Sequence, residues 1–413
     1  MRLMDYKLFS KDERLQYLRS QKMTTGIPYF GGKANIGKYI YSTIFNMAIT
    51  MYDNGDKPKT FIDCFTGGGK IGLSLPDGWC ERIVLNDYDY GVFSYYKSCK
   101  SDYRKLLATV DGLVDKMTKQ FFEKCLFIRE NEELDQFIAG AMTYVCSACS
   151  FNNILNVEKA EYRPSMGDNN EKEELEKVKA RAHKAITNVA KQLKNRNYVI
   201  ENLSYEQVIA KYNGLNYFDK HGVEHKSTES KDGGNNILWY FDPPYHPYCL
   251  NGMKEAPYAN SFNYEDTIKM TKILSGEIKD YGEIKYFIKS DYNPKVTSNN
   301  AKRTLEEFKE QGNKTATKSK DSEKSKDSDV SKSTFKEKLK KQCQAIMEHY
   351  DEMQHDFDSI EDTEKGFLCL CVGGFDKGVL AKDENNRLFK TVGEEYIWCR
   401  GLPNGYEEIE KVV

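Results

Sequence analysis

An α/β fold, a Rossmann-like doubly wound sheet with a mainly helical lobe inserted between two of its strands, is predicted for this 413-residue chain by three observations. Short apolar runs end repeatedly in acidic side chains: Phe61-Ile62 in Asp63, Ile83-Val84-Leu85 in Asn86-Asp87, and Ile237-Leu238-Trp239-Tyr240-Phe241 in Asp242. The first run leads into a glycine-dense turn and then a helical pattern, the layout of a nucleotide-binding strand-turn-helix unit. Residues 91–197, between the second and third runs, carry apolar residues at helical spacing and far exceed an ordinary connection between helix and strand.

Near the N-terminus, Ile27-Pro28-Tyr29-Phe30-Gly31-Gly32-Lys33 precedes a helical pattern at Ile36, Tyr39, Ile40 and Ile44. Glycines between an aromatic ring and a lysine suit a loop folded over a ligand, the ring packing on it and the ammonium reaching a carboxylate. The strand at Thr60–Asp63 enters Cys64-Phe65-Thr66-Gly67-Gly68-Gly69-Lys70, whose spacing is FxGxG. That spacing is neither the GxGxxG of a nicotinamide site nor the GxxxxGK[ST] of a phosphate loop, so neither is supported. Asp87 ends the next strand about 20 residues later, where a doubly wound sheet puts an acidic residue on ribose hydroxyls; an ordinary helix N-cap is the competing reading.

The inserted lobe includes the apolar helix Phe137–Val145, the polar segment Ser150-Phe151-Asn152-Asn153, and Tyr162-Arg163-Pro164. Asparagine and arginine are the types that read adenine and guanine edges, although Asn152-Asn153 equally makes a turn. Leu175, Val178, Ala182, Ile186, Val189 and Leu193 form a helical stripe with Lys177, Arg181, Lys184 and Lys191 opposite, a face open either to solvent or to phosphates. A strand follows at Tyr198-Val199-Ile200, and the polar stretch from Gly214 to Asn236 reads as a surface loop.

The sequence Asp242-Pro243-Pro244-Tyr245 carries the most chemistry. Two successive prolines remove two backbone donors and fix φ, so the loop presents acceptors only: the Asp242 carboxylate and the rigid Pro243 carbonyl. An exocyclic amine offers the two hydrogens these accept, and Tyr245 offers a ring for the base bearing it. Asp-Pro-Pro also makes simple turns, but here it closes a buried strand. The natural guest is an adenine extruded from its stack.

In order along the chain, these segments resemble the Dam-type family of DNA adenine N6-methyltransferases: PYFGGK-like segment, FxGxG turn, acidic second strand, target-recognition segment, DPPY. The resemblance covers residues 25 to 300, and Tyr258-Ala259-Asn260-Ser261-Phe262 looks like the family's aromatic stretch after DPPY. It implies a methyltransferase sheet with S-adenosylmethionine as donor, held by Tyr29, Lys33, Asp63, Phe65, Gly67, Gly69 and Asp87. Asn202 and Ser204 are further candidates, Ser204 standing where the family commonly has an aspartate against the cofactor adenine. It also implies that Asp242, Pro243, Pro244 and Tyr245 hold the target base, with Asn152, Asn153, Arg163, Tyr258 and Phe262 at the DNA. Three units follow: residues 1–90 and 198–413 forming the catalytic domain, and 91–197 the target-recognition lobe. The expected substrate is double-stranded DNA, with a cognate restriction endonuclease as a conceivable partner and a monomer as the expected state. Competing readings are an RNA adenine methyltransferase and a catalytically inactive DNA-binding relative; DPPY in place of SPPY or NPPY speaks against cytosine or protein glutamine as acceptor.

A chain 39% hydrophobic and 30% charged has material for a sizeable core. The absence of an 18-residue apolar run or signal peptide gives the expectation of a soluble, cytoplasmic protein, whose 11 cysteines would stay reduced. Cys146 and Cys149 form a CxxC without a second pair, and read as small apolar residues of a buried helix with no metal implied. A net charge of −2 does not by itself advertise a nucleic-acid partner. Residues 311–334, almost wholly polar, cannot bury enough surface to order themselves. Beyond them a helix is expected over Phe335–Met353, then strands around 368–372, 379–389 and 396–399.

Overall fold

The computed structural model describes residues 6–32, 37–131, 133–167, 169–219, 221–229, 236–244, 262, 264–292, 306, 344, 368–382 and 388–400. The polar segment 311–334 and nearly all of the helix expected over 335–353 lie outside these residues, as do Lys33, Tyr245 and Tyr258.

Four parallel strands expected from the sequence are present: β1 (Thr60–Asp63), β2 (Arg82–Asn86), β3 (Tyr198–Glu201) and β6 (Ile237–Phe241). They join β7 (Phe287–Tyr292), β8 (Leu368–Lys382) and β9 (Leu388–Arg400) in one sheet of order β3-β2-β1-β6-β7-β9-β8. Every pairing from β3 to β7 is parallel, and β9 is antiparallel to both β7 and β8. The chain thus winds outward from β1 in both directions, and the topological switch lies between β1 and β6, where open α/β sheets bind ligands.

Alternation along the strands builds a core on each face. Phe61, Ile83, Leu85, Leu238 and Tyr240 pack with α2 (Gly37–Asp53), α4 (Tyr90–Val114), α6 (Gln136–Cys149) and α7 (Glu171–Asn195); α1 (Lys11–Ser20), α3 (Lys70–Ser74) and α5 (Lys119–Asn131) come before α2, α4 and α6 respectively. On the other face, Ile62, Val84, Trp239 and Phe241 pack with α8 (Tyr205–Tyr212) and α9 (Tyr264–Ser275). Because both faces are covered, β1 and β6 are buried at every position, the pattern of central parallel strands.

Helices α4 to α7 fill the span between β2 and β3. Their starts are written locally: Asp89 caps α4 by accepting from Gly91 N and Val92 N, Asp135 caps α6, and Asn170 caps α7. The stripe read from the sequence is the buried face of α7, at Val178, Ala182, Ile186, Val189 and Leu193. On its polar side Lys179 and His183 pair with Asp115 and Asp111 of α4 and its C-cap. Cys146 and Cys149 are buried in α6.

Two expectations need revision. The 214–236 stretch carries a small antiparallel hairpin, β4 (Tyr217–Phe218) with β5 (Glu224–His225), closed by Asp219 accepting from His221 N and Val223 N. The C-terminal region forms two long strands where three shorter ones were expected: the glycines at 373–374 do not end β8 but fall at a register shift between Cys371 and Gly374. No helix among the described residues is long and apolar enough to cross a membrane.

Candidate active site

The C-terminal tips of β1, β2 and β6 and the residues after β3 open into one cavity of about 290 Å³. Of the residues singled out from the sequence, Tyr29, Asp63, Phe65, Gly67, Gly69, Asp87, Ser204, Asp242, Pro243, Pro244 and Phe262 all line it. Asn202, Asn152, Asn153 and Arg163 do not.

After Asp63 the chain makes a turn possible only with glycine. Gly67 and Gly69 adopt φ of +46° and +71°, and a Cβ at Gly67 would come within 3.0 Å of the Tyr29 ring. The turn is tied down by Thr66 N to Asn86 O at 2.9 Å, Gly69 N to Thr66 O at 2.7 Å, and Tyr96 OH to Gly67 O at 2.9 Å. Its backbone is therefore fixed, and the absence of Cβ atoms lets Tyr29 pack directly on Gly67 and Gly68 at the cavity.

Asp87 accepts from Gly67 N at 2.7 Å with Oδ2 and from Asp89 N at 2.9 Å with Oδ1. The residue capping the following helix is Asp89, so Asp87 does not perform the alternative role open to it in the sequence. Burial, and next the neighbouring Asp89 carboxylate, push the Asp87 carboxyl up to about 7.

Asp63 is 1% exposed. Its Oδ2 accepts from Gly72 N at 3.2 Å, while Oδ1 is buried with no hydrogen-bond partner among the described residues. Burial, followed by the nearby Asp242 carboxylate, pushes Asp63 up to about 8. An uncompensated buried acceptor is costly in a native protein unless a ligand completes it. Because the folded carboxyl holds its proton up to about pH 8 and an unfolded one only to about 3.9, folded chains bind more protons between these limits. Stability must fall as pH rises through that window. Asp63→Asn should therefore raise the melting temperature of the ligand-free protein more at pH 8 than at pH 5; an equal gain at both would show that Asp63 does not titrate there.

Aromatic side chains form the far wall. Phe65 lies against Tyr205 with ring centroids 6.2 Å apart and planes 27° apart, and Phe262 meets Phe65 edge-on at 5.8 Å. Tyr205 belongs to this wall although only its place after Ser204 hinted at it in the sequence. Ser204 lines the cavity as the N-cap of α8: its Oγ accepts from Gln207 N at 3.2 Å and its N donates to Gln207 Oε1 at 2.7 Å, a full capping box. Asn202 donates its amide to Asp87 O at 2.9 Å and Tyr88 O at 3.0 Å, bracing the loop behind Asp87.

The Asp242 loop leaves β6 beside the tip of β1, where Asp63 pairs in register with Tyr240. Tyr240 is anchored by a 2.9 Å hydrogen bond between its hydroxyl and Ser290 Oγ on β7. Asp242 is half-buried and Pro243 buried.

The segment after α6 presents Asn152 and Asn153 at φ of +56° and +59°, successive left-handed residues, beside Phe151, 46% exposed. Its ends are clamped by the bridge between Ser150 and Tyr162 and by Phe151 N to Glu161 O at 2.8 Å. Arg163 is turned inward, donating to Ala148 O at 3.1 Å and Glu174 Oε2 at 3.4 Å.

Residues 29–219 match a family described as D12 class N6 adenine-specific DNA methyltransferase. The matched span includes the tips of β1, β2 and β3 and helices α4 to α7, and ends before β6. No curated protein matches the chain.

Proposed function

We propose that the chain is a member of the D12 class of N6 adenine-specific DNA methyltransferases, whose model its residues 29–219 match, and that its cavity holds S-adenosylmethionine beside a single adenine taken out of duplex DNA. When bound, S-adenosylmethionine supplies an electrophilic methyl group on a sulfonium. The residues present fit such a ligand: a carboxylate oxygen of Asp63 buried without a partner among the described residues, a glycine turn on which the Tyr29 ring packs directly, and the aromatic rings of Phe65 and Tyr205 at the cavity.

Asp87 accepts from the ribose hydroxyls, Asp63 Oδ1 takes a hydrogen from the amino-acid ammonium, and Phe65 and Tyr205 pack on the adenine. Asp242 and the Pro243 carbonyl accept the two hydrogens of the target amine. As that nitrogen would take the methyl, the bonding pair staying with the departing sulfur, its lone pair leaves ring conjugation and positive charge develops on it, relieved when one amine proton leaves after transfer. Two acceptors fixed by the prolines favour this charged state over the ground state, which lowers the barrier without prior deprotonation. Tyr245 and Tyr258, outside the described residues, are proposed to stack on the base and to contact DNA. Asn152 and Asn153 are proposed to read base edges; Arg163, held by Glu174 and Ala148, orders the loop that carries them.

The observation that carries this reading is the meeting of Asp63, Asp87 and Asp242 in one cavity at the switch between β1 and β6. Purified protein with S-adenosylmethionine and mixed-sequence duplex DNA should yield 6-methyladenine in nucleoside mass spectrometry, confined to one short sequence context. Methylated cytosine, or methylation of RNA alone, would overturn the acceptor assignment.

A further inference from the structure

Arg129 of α5 is 4% exposed and forms an ion pair with Asp89, itself 6% exposed. Its Nε donates to Thr143 Oγ1 of α6 at 2.9 Å, and Thr143 Oγ1 donates to Ala139 O at 2.9 Å. Asp89 uses Oδ1 on the first amides of α4 and Oδ2 on Arg129, while its backbone N donates to Asp87. Asp87 in turn accepts from Gly67. A continuous polar chain thus runs from α6 through α5 and the α4 cap to the cavity wall.

Capping alone does not call for this arrangement. A neutral Asn or Ser caps a helix as well as Asp, and burying a guanidinium with a carboxylate carries a desolvation penalty that a cap has no need of. The structure also makes room for it: a Cβ at Gly91, in the first turn of α4, would lie 3.1 Å from Arg129 Nε and collide with Thr143 Oγ1. The charged groups facing Asp87 are Asp63 from β1 and Asp89 from the α4 cap, both opposing its charge, and Arg129 from α5, favouring it; Tyr96 of α4 also faces it. Arg129 is therefore the cation among the described residues that offsets Asp89.

We propose that Arg129 is a positioning residue which, through Asp89, keeps Asp87 ionised and aligned, so that the helices between β2 and β3 set how tightly the cofactor is held. This rests on the reading that Asp87 accepts from the ribose of S-adenosylmethionine.

Calorimetric titration of the full-length protein with S-adenosylmethionine from pH 6 to pH 9 tests it. Arg129→Met should bind about fivefold more weakly at pH 7 and about tenfold more weakly at pH 6, as a rise of one unit in Asp87 from about 7 requires, and recover as pH rises. Adding Asp89→Asn, which keeps a capping oxygen and removes the charge, should return the profile toward wild type, and Arg129→Lys should stay close to it. A loss equal at every pH, or one that Asp89→Asn does not rescue, would mean Arg129 only supports packing and would overturn the proposal. Should Arg129→Met fail to fold, Asp89→Asn alone carries the test: affinity should persist to lower pH, and an unmoved profile overturns the idea. Asp87→Asn separates the two levels. If it binds like wild type, the ribose reading fails and the proposal with it; if it binds weakly while Arg129→Met keeps the wild-type profile, only the proposal fails.

Discussion

Asp242→Ala should lower methyl transfer to DNA by about 10²–10³-fold or more while S-adenosylmethionine binds nearly as before. Asp242 leaves the end of β6, whereas Asp63 and Asp87, the carboxylates proposed to face the donor, leave β1 and β2. Removing an acceptor that meets its partner most strongly in the transition state reduces kcat more than it weakens the ground-state complex. One effect works toward tighter donor binding: Asp242 is the neighbour that, after burial, raises Asp63, so the alanine variant leaves Asp63 more readily ionised. Single-turnover methylation beside calorimetry decides the matter. An equal loss of donor affinity would move Asp242 to the donor side of the cavity.

Gly140→Ala should destabilise the protein by about 1–3 kcal/mol, against the sign that helix propensity alone gives. Alanine in a helix interior ordinarily gains about 1 kcal/mol over glycine. At Gly140 in α6, however, the added methyl would lie 2.8 Å from the Tyr95 N and Cα atoms and 2.9 Å from the Ser94 carbonyl carbon, and backbone in the second turn of α4 cannot rotate away as a side chain could. The two helices must separate, loosening Tyr95 and Tyr144, which stack at 5.7 Å between them. Gly112, near the end of α4 with nothing within 4 Å of its would-be Cβ, is the matched control, and its alanine variant should gain stability. Denaturant unfolding of both variants checks the pair; stabilisation by Gly140→Ala would show that α4 and α6 can part without cost.

The strands around the cavity were legible because each is short, apolar and ends in a polar residue at the sheet's edge. Phe61-Ile62-Asp63 and the run 237–242 declare a buried strand and its exit in the same few residues. Phe287–Tyr292 was not legible as the neighbour of β6: its Lys289 and Ser290 break the apolar run, and only the fold reveals that both are buried. The hairpin of β8 and β9 was read as three pieces because glycines look like breaks until a register shift accommodates them. At the site, residue type announced the glycine turn, Asp87 and Asp242. Nothing local could show that Asp89 would take the helix cap, that Arg129, 40 positions away, would pair with it, or that one oxygen of Asp63 would be buried without a partner among the described residues. Those facts are tertiary; they depend on which helices pack together.

Strands β1 and β6 are immediate parallel neighbours, locked in register from Thr60 opposite Ile237 to Asp63 opposite Tyr240. Adjacent strands stand about 4.7–4.9 Å apart, so the hydrogen-bond ladder acts as a ruler between the half-site proposed for the donor and the half-site proposed for the acceptor. The two groups that must meet are aligned by backbone already in place, without a hinge between them. On the proposed reading, the distance over which the methyl travels is a property of the sheet itself.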